Sequence, residues 1–194
     1  MLTRLGIYIQ RNFLPLDLCS ALSAEMTGDA GTDGIVIRDG ASIVDLEQKR
    51  LKQIALDANH HADLGARFDG LASAVADFFD TPVAGHEGAQ FYRYNTGGYY
   101  RTHRDRYGAA AGIIGHERHI SVVLFLNEPA GHGGPEYSGG DLVLYDLFGN
   151  DRLVEYGLPV PAEAGLLVAF RSDLRHEVTT VARGVRCVAV TRFF

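Results

Sequence analysis

Near residue 87 the apolar pattern of the chain changes period, and that switch limits the fold more than any single motif. Before it the spacing is helical. Leu64, Phe68, Leu71, Val75, Phe78 and Phe79 recur three and four residues apart, which lays them along one face of a helix that Thr81-Pro82 ends. Asp17 is placed to cap an earlier helix carrying Leu18, Leu22 and Met26, and Asp45 one carrying Leu46, Leu51, Ile54 and Leu56. After the switch come short β-branched and aromatic runs bounded by glycine, asparagine and proline. They read as strands near 89–95, 98–105, 119–127, 141–146, 152–156, 165–170, 175–181 and 185–193. Eight short strands without helices between them predict an antiparallel sandwich or jelly roll, not a βαβ sheet. At 194 residues one core suffices, so residues 1–194 are expected to form a single domain of mostly β, α+β type. Residues 1–87 would be a mainly helical support and residues 88–194 the β core.

Charge and composition remove several functions. Eighteen basic against 24 acidic side chains give a formal charge of −6, the wrong sign for holding a phosphate backbone, so no nucleic-acid partner is expected. The longest apolar runs, Val122 to Leu126 and Leu166 to Phe170, fall far short of the ~20 residues that cross a bilayer, so no membrane partner is expected either. Cys19 and Cys187 have no spacing pattern of a disulfide scaffold and no partner of a nucleophile, and Arg11 and Asp17 break any secretory signal. These features predict a cytoplasmic protein with two small core thiols.

The chemistry concentrates around Tyr99-Tyr100-Arg101-Thr102-His103-Arg104-Asp105. Residues two apart on a strand point the same way, so His103 and Asp105 aim at one point. His176 opens a later strand. Ala182-Arg183-Gly184 reads as a three-residue hairpin turn, which sets Arg186 opposite Thr180 on the face of His176, ~13 Å along the ladder. That gap suits a small dicarboxylate that chelates a metal at one end and meets the guanidinium fork at the other. Two histidines and a carboxylate leave coordination positions open, a set diagnostic of non-haem Fe(II) oxygenases more than of zinc. With Gly97-Gly98 as a two-residue hairpin loop, Tyr92 falls opposite His103 and Tyr94 lies on the same face, where a phenol can donate to the far carboxylate. His116 and His119 read as loop and surface residues, and His60, His61, His86 and His132 as solvated ones. Gly139-Gly140 lacks the lysine of a phosphate loop and reads as a strand-entry turn.

Residues 88–194 resemble the iron- and 2-oxoglutarate-dependent dioxygenases, in their prolyl 4-hydroxylase-like branch. The resemblance rests on an ordered series: Tyr94, His103-Arg104-Asp105, Val122 to Asn127, Gly139-Gly140-Asp141, Gly165 to Phe170, His176, Thr180-Val181, Gly184 and Arg186. It implies a double-stranded β-helix (jelly roll) with iron held by His103, Asp105 and His176. It also implies 2-oxoglutarate held by Arg186 with help from Tyr94; Tyr92 and Thr180, from their register, are expected beside them as co-substrate residues. Three positions depart from the family: Arg186 stands where collagen-type enzymes have lysine, Arg192 where a tryptophan is common, and Thr180-Val181 where Pro-Val is. The implied reaction uses Fe(II), 2-oxoglutarate and O2 to hydroxylate an unactivated C–H of a prolyl residue in a peptide or protein, releasing succinate and CO2. A free amino acid or other small molecule as substrate, a zinc site in the same triad, and a non-catalytic ligand-binding β-helix stay open. Segments 106–118 and 131–140 are expected to flank the substrate entrance as lids. The oligomeric state is left open.

Overall fold

The computed structural model describes residues 2–38, 41–106, 115–129, 137–149 and 153–194. Most of the two expected lids, 107–114 and 131–136 with His132, lies outside them. The first part carries a short 3-10 helix (Leu2–Leu5), strand β1 (Tyr8–Gln10) and helix α1 (Leu16–Gly28). Five short strands follow: β2 (Thr32–Asp33), β3 (Ile35–Arg38), β4 (Ala41–Val44), β5 (Lys49–Arg50) and β6 (Lys52–Ile54). Helix α2 (Ala58–Phe79) closes this part. Then come β7 (Gln90–Asn95), β8 (Tyr99–His103), β9 (Ile120–Phe125), β10 (Tyr137–Gly139), β11 (Leu142–Leu144), β12 (Leu158–Val160), β13 (Leu167–Arg171), β14 (His176–Val178) and β15 (Val181–Phe193).

These strands make two antiparallel sheets. The larger runs β1-β13-β9-β15-β7-β6-β2, with β10 paired to β15, and the smaller runs β12-β11-β14-β8-β5. β3 and β4 form a separate hairpin. Strand β9, Ile120-Ser121-Val122-Val123-Leu124-Phe125, is buried throughout because both of its faces meet apolar partners. Val122 and Leu124 join Leu22, Met26, Phe68 and Val75 in a core between the larger sheet and the two helices. Val123 and Phe125 join Leu142, Leu144 and Val178 of the smaller sheet in a second core. A strand buried on both faces has no polar alternation, which is why Val122 to Phe125 reads as uniformly apolar.

Helix α2 follows the sequence pattern: Leu64, Phe68, Leu71 and Val75 are buried on one face. Asp57 caps it, accepting from the backbone N–H of Asn59 and His60, and Asp80 ends it in the left-handed conformation. Five expectations need correction. Asp17 sits in the first turn of α1, with Pro15 at the cap position. Asp45 caps no helix. Its Oδ1 accepts from the N–H groups of Glu47 and Gln48 in a turn, after which the chain pairs with Tyr99-Tyr100 as β5 and with residues 91–93 as β6. Leu51 and Ile54 mimicked a helical step because the chain changes sheets between them and each enters a different core. Residues 153–156 form no strand; the strand is β12, edge of the smaller sheet, where Pro159 is tolerated because an edge leaves its missing N–H harmless. Both expected hairpins are sheet crossings. Strand β7 pairs with β15 and β6, and β8 with β14 and β5, while β15 runs unbroken through residues 182–184. His86 is also less solvated than expected. Its side chain is 9% exposed, with the rings of Phe68 and Phe193 each 5.7 Å away, because it bridges α2 to the end of β15.

No helix among the described residues is long and apolar enough to cross a membrane.

Candidate metal centre

His103 closes β8, His176 opens β14, and the two are register partners in the smaller sheet. Asp105 follows two residues later. Its backbone N–H and that of Arg106 donate to the Ser172 carbonyl at 3.0 and 2.9 Å, which pins the chain where the carboxylate turns toward the imidazoles. His103 Nε2 lies 3.8 Å from Asp105 Oδ1, and His176 Nε2 lies 3.8 Å from Asp105 Oδ2. One ligand atom from each residue falls within 4.8 Å of the other two.

The hydrogen bonds fix the tautomers. His103 Nδ1 meets the Arg101 carbonyl at 2.8 Å and His176 Nδ1 the Leu174 carbonyl at 3.0 Å. A carbonyl only accepts, so each Nδ1 carries the proton and each Nε2 offers a lone pair on the carboxylate side. Burial, with His176 adjacent, pushes His103 down to about 3, and burial lowers His176 as well. Burial alone would raise Asp105, but the Arg192 guanidinium and the two imidazoles outweigh it and hold the carboxyl well below its usual range. Two neutral nitrogens and an ionised oxygen are the protonation states a divalent metal requires.

These shifts carry a pH dependence. Each histidine is harder to protonate folded than unfolded, so the unfolded chain takes up protons first as pH falls below about 6.5, at about 1.4 kcal/mol of lost stability per unit and per histidine. Urea midpoints of the metal-free protein are therefore expected to drop from pH 7 to pH 5, and a flat profile over that range would contradict the buried neutral pair.

The larger sheet supplies the facing wall. Along β15, Arg186, Val188, Val190 and Arg192 alternate onto the cavity that also contains the triad. Arg192 forks onto Asp105, Nε to Oδ2 at 3.1 Å and Nη2 to Oδ1 at 3.2 Å, and Ser121 Oγ donates to Oδ2 at 2.9 Å. The third arm, Nη1, donates to Gln90 Oε1 at 2.8 Å. Removing one member of such a buried pair typically costs ~3–5 kcal/mol. Arg192→Met is expected to lose about that much stability without metal, and a divalent cation, by meeting the Asp105 charge, is expected to restore part of it. Chemical denaturation with and without Zn(II) measures both; a loss below about 1 kcal/mol would count against the pairing.

Arg186 is different. It is 1% exposed, yet Nε, Nη1 and Nη2 all lack a hydrogen-bond partner, and so does the buried Tyr137 hydroxyl. Its guanidinium carbon lies 5.0 Å from the Tyr94 ring centre and 5.2 Å from that of Phe125. Gly140, at φ +69°, makes room: a Cβ there would stand 3.0 Å from Arg186 Cδ and 2.8 Å from Val181 Cγ2. The glycine pair read as a strand-entry turn thus also clears space for the arginine.

Of the residues expected at the site, His103, Asp105, His176, Arg186, Tyr94 and Tyr92 line one cavity. Tyr92 donates its phenolic proton to Gln90 at 2.6 Å. Thr180 is exposed and lies outside the cavity lining, its carbonyl accepting from the Gly140 N–H where the chain passes between sheets. Arg192 and Tyr137 were not read as site residues. The even spacing of Arg192 from Arg186 was the available signal for the first, and nothing local marked the second. A roomier groove of about 580 Å³, bordered by Asp29, Thr32, Ile35, His61 and Phe91, lies apart from the triad.

Comparison with known proteins gives the family and the fold. Residues 89–194 match the 2OG-Fe(II) oxygenase superfamily. A PKHD-type hydroxylase of Picosynechococcus sp. is 38% identical over 100 residues, covering 52% of this chain and 38% of the relative, so the match spans well under half of that protein's length. Among solved structures, a Pseudomonas putida prolyl-4-hydroxylase superposes with TM-score 0.67 at 24% identity, covering 100% of this chain and 98% of the other. A prolyl hydroxylase from Trichoplax adhaerens, in complex with a hypoxia inducible factor oxygen degradation domain peptide fragment, gives TM-score 0.66 at 18% identity, with coverages of 97% and 83%. These two likenesses speak to the fold.

Proposed function

This chain belongs to the 2OG-Fe(II) oxygenase superfamily, and from that premise we propose that it is a dioxygenase hydroxylating an unactivated C–H of a prolyl residue in a peptide or protein. The family's reactants are Fe(II), 2-oxoglutarate and O2. When bound, the iron and 2-oxoglutarate supply oxidation of the C–H by dioxygen, with release of succinate and CO2. The two facing antiparallel sheets support reading the fold as a double-stranded β-helix, with the chain as one domain and the helices as its support.

In this reading His103, Asp105 and His176 hold Fe(II), and their proton-free Nε2 atoms and ionised carboxylate are the donors it takes. Arg192 and Ser121 keep the Asp105 carboxylate oriented. Arg186 takes the distal carboxylate of 2-oxoglutarate, with the Tyr137 and Tyr94 phenols beside it. Val123, Val188 and Val190 wall the cavity and exclude water from the reacting carbon. The observation that carries the reading is Arg186: a buried guanidinium without any acceptor, in one cavity with a metal-ready triad, fits a dicarboxylate that bridges the two. The prolyl substrate is supported by the names of the P. putida and T. adhaerens neighbours, the latter bound to a peptide.

The test is succinate release by anaerobically purified, Fe(II)-loaded protein on exposure to O2, with a mass-shift screen of proline-containing peptides and free amino acids. Gain of one oxygen on a prolyl peptide is expected. Gain only on a free amino acid would move the substrate, and no succinate from any of them would overturn the reading.

A further inference from the structure

Lysine occurs twice in this chain, against sixteen arginines, and the two lysines flank the crossing from β5 to β6. Lys52 is an ordinary surface residue, ion-paired to Asp33 at 2.8 Å. Lys49 is 5% exposed, and its ammonium rests over two aromatic rings. Its Nζ lies 4.8 Å from the centre of the Tyr100 ring and 5.8 Å from that of Tyr92. Both rings line the triad's cavity, and Tyr100 stacks on His103 with centres 3.5 Å apart. Laid end to end, the 4.8 and 3.5 Å separations put the ammonium within about 8 Å of the His103 ring.

The neighbouring cations already have counter-charges. Arg192 pairs with Asp105, and Arg118 reaches Glu87 at 2.9 Å. The distal carboxylate of 2-oxoglutarate is met by Arg186 in the reading above, and the proximal end by the metal. Lys49 is left over. Burial, with Arg192 adding, pushes its ammonium down to about 8, against the opposing pull of Asp105. An ammonium held over two rings beside a cavity gains from an arriving anion. A compact ammonium with three rotatable donors also accepts a carboxylate from many directions, as a fixed guanidinium fork does not.

We infer that Lys49 receives a carboxylate carried by the substrate, so that the hydroxylated carbon lies a few bonds from an acid group. The chemical class is a free amino acid or the C-terminal residue of a peptide. The inference rests on the hydroxylase reading and narrows its substrate.

Reductive methylation with ¹³C-formaldehyde labels both lysines and the terminal amine, and Lys52→Arg leaves Lys49 as the one side-chain signal. The protein is loaded with Zn(II), a diamagnetic stand-in, and 2-oxoglutarate. N-acetylproline is expected to shift that signal and raise its titration midpoint by about one unit or more, and N-acetylprolinamide to do neither. L-proline and a peptide ending in proline separate the two sources of the carboxylate. Lys49→Met is expected to weaken N-acetylproline at least about tenfold, change 2-oxoglutarate affinity less than about twofold, and leave the melting temperature unchanged or raised. An equal response to acid and amide, or no response to any acid, would overturn the inference. So would weaker 2-oxoglutarate binding in Lys49→Met, which assigns the lysine to the co-substrate, or a clear fall in melting temperature, which makes it a packing cation over two rings. A Lys49 response to acids without succinate release would overturn the hydroxylase reading and leave the carboxylate site standing. Succinate release with acids and amides alike would do the reverse.

Discussion

Arg186→Ala is expected to weaken 2-oxoglutarate binding by roughly thirty- to several-thousand-fold, the ~2–5 kcal/mol typical of truncating one partner of a buried, hydrogen-bonded charge pair. The guanidinium is the cavity's unanswered charge: it is 1% exposed and its three nitrogens have no partner until an anion arrives. Arg186→Lys is expected to recover part of the loss, since an ammonium keeps the charge without the fork. Metal affinity is expected to stay nearly unchanged in both variants, because Arg192, not Arg186, holds the ligand Asp105. Stability without ligand is expected to hold or rise, because the substitution removes an uncompensated buried charge. Calorimetric titration of 2-oxoglutarate under argon into wild type and both variants, each iron-loaded, reads the effect. Equal affinity in all three would remove the main support for the proposed function.

The largest effect on turnover is expected from the triad. His103→Ala, Asp105→Ala and His176→Ala each remove one of three proposed iron ligands, two on adjacent strands and one in the bend after β8, and are expected to abolish succinate release. Their stabilities are expected to part ways. The histidines bond only to backbone carbonyls through Nδ1, so their loss leaves no buried charge behind. Asp105→Ala strands Arg192, which is 6% exposed, and is expected to cost ~3–5 kcal/mol. Adding Arg192→Met to Asp105→Ala is expected to restore folding stability but no turnover. Denaturation midpoints and succinate yields of the five proteins, wild type included, measure both. Wild-type turnover in any single variant would end the assignment of the triad.

The site was legible where its geometry is local. The two-residue spacing marked His103 and Asp105 as a pair, although the strand ends at His103 and Asp105 reaches the same point from the bend that the Ser172 carbonyl pins. What the residues could not show is which strand pairs with which. Gly97 and Gly184 both take a positive φ, which reads as a turn, yet neither folds the chain back on itself. Here the chain passes from one sheet to the other near both, so His103 faces Tyr92 and Tyr94 across a cavity, not along a ladder. Arg192, Tyr137 and Lys49 stayed hidden for the same reason. Each acquires its surroundings from residues dozens of positions away, and charge alone does not mark an arginine as the partner of a distant aspartate. The α2 stripe was readable because a helix carries its whole periodicity within itself.

Strand β15 brings Arg186, Val188, Val190 and Arg192 to the cavity on alternate positions, while Cys187 and Ala189 face the helices. The strand therefore acts like a toothed rack engaged on two sides. Losing or gaining one residue between 186 and 192 would slide every tooth by half a step. One of the two arginines would be driven into the apolar core under the helices, and Cys187 or Ala189 would be offered to the co-substrate. Along this segment the chain can accept exchanged side chains one at a time, but its length is not free to drift.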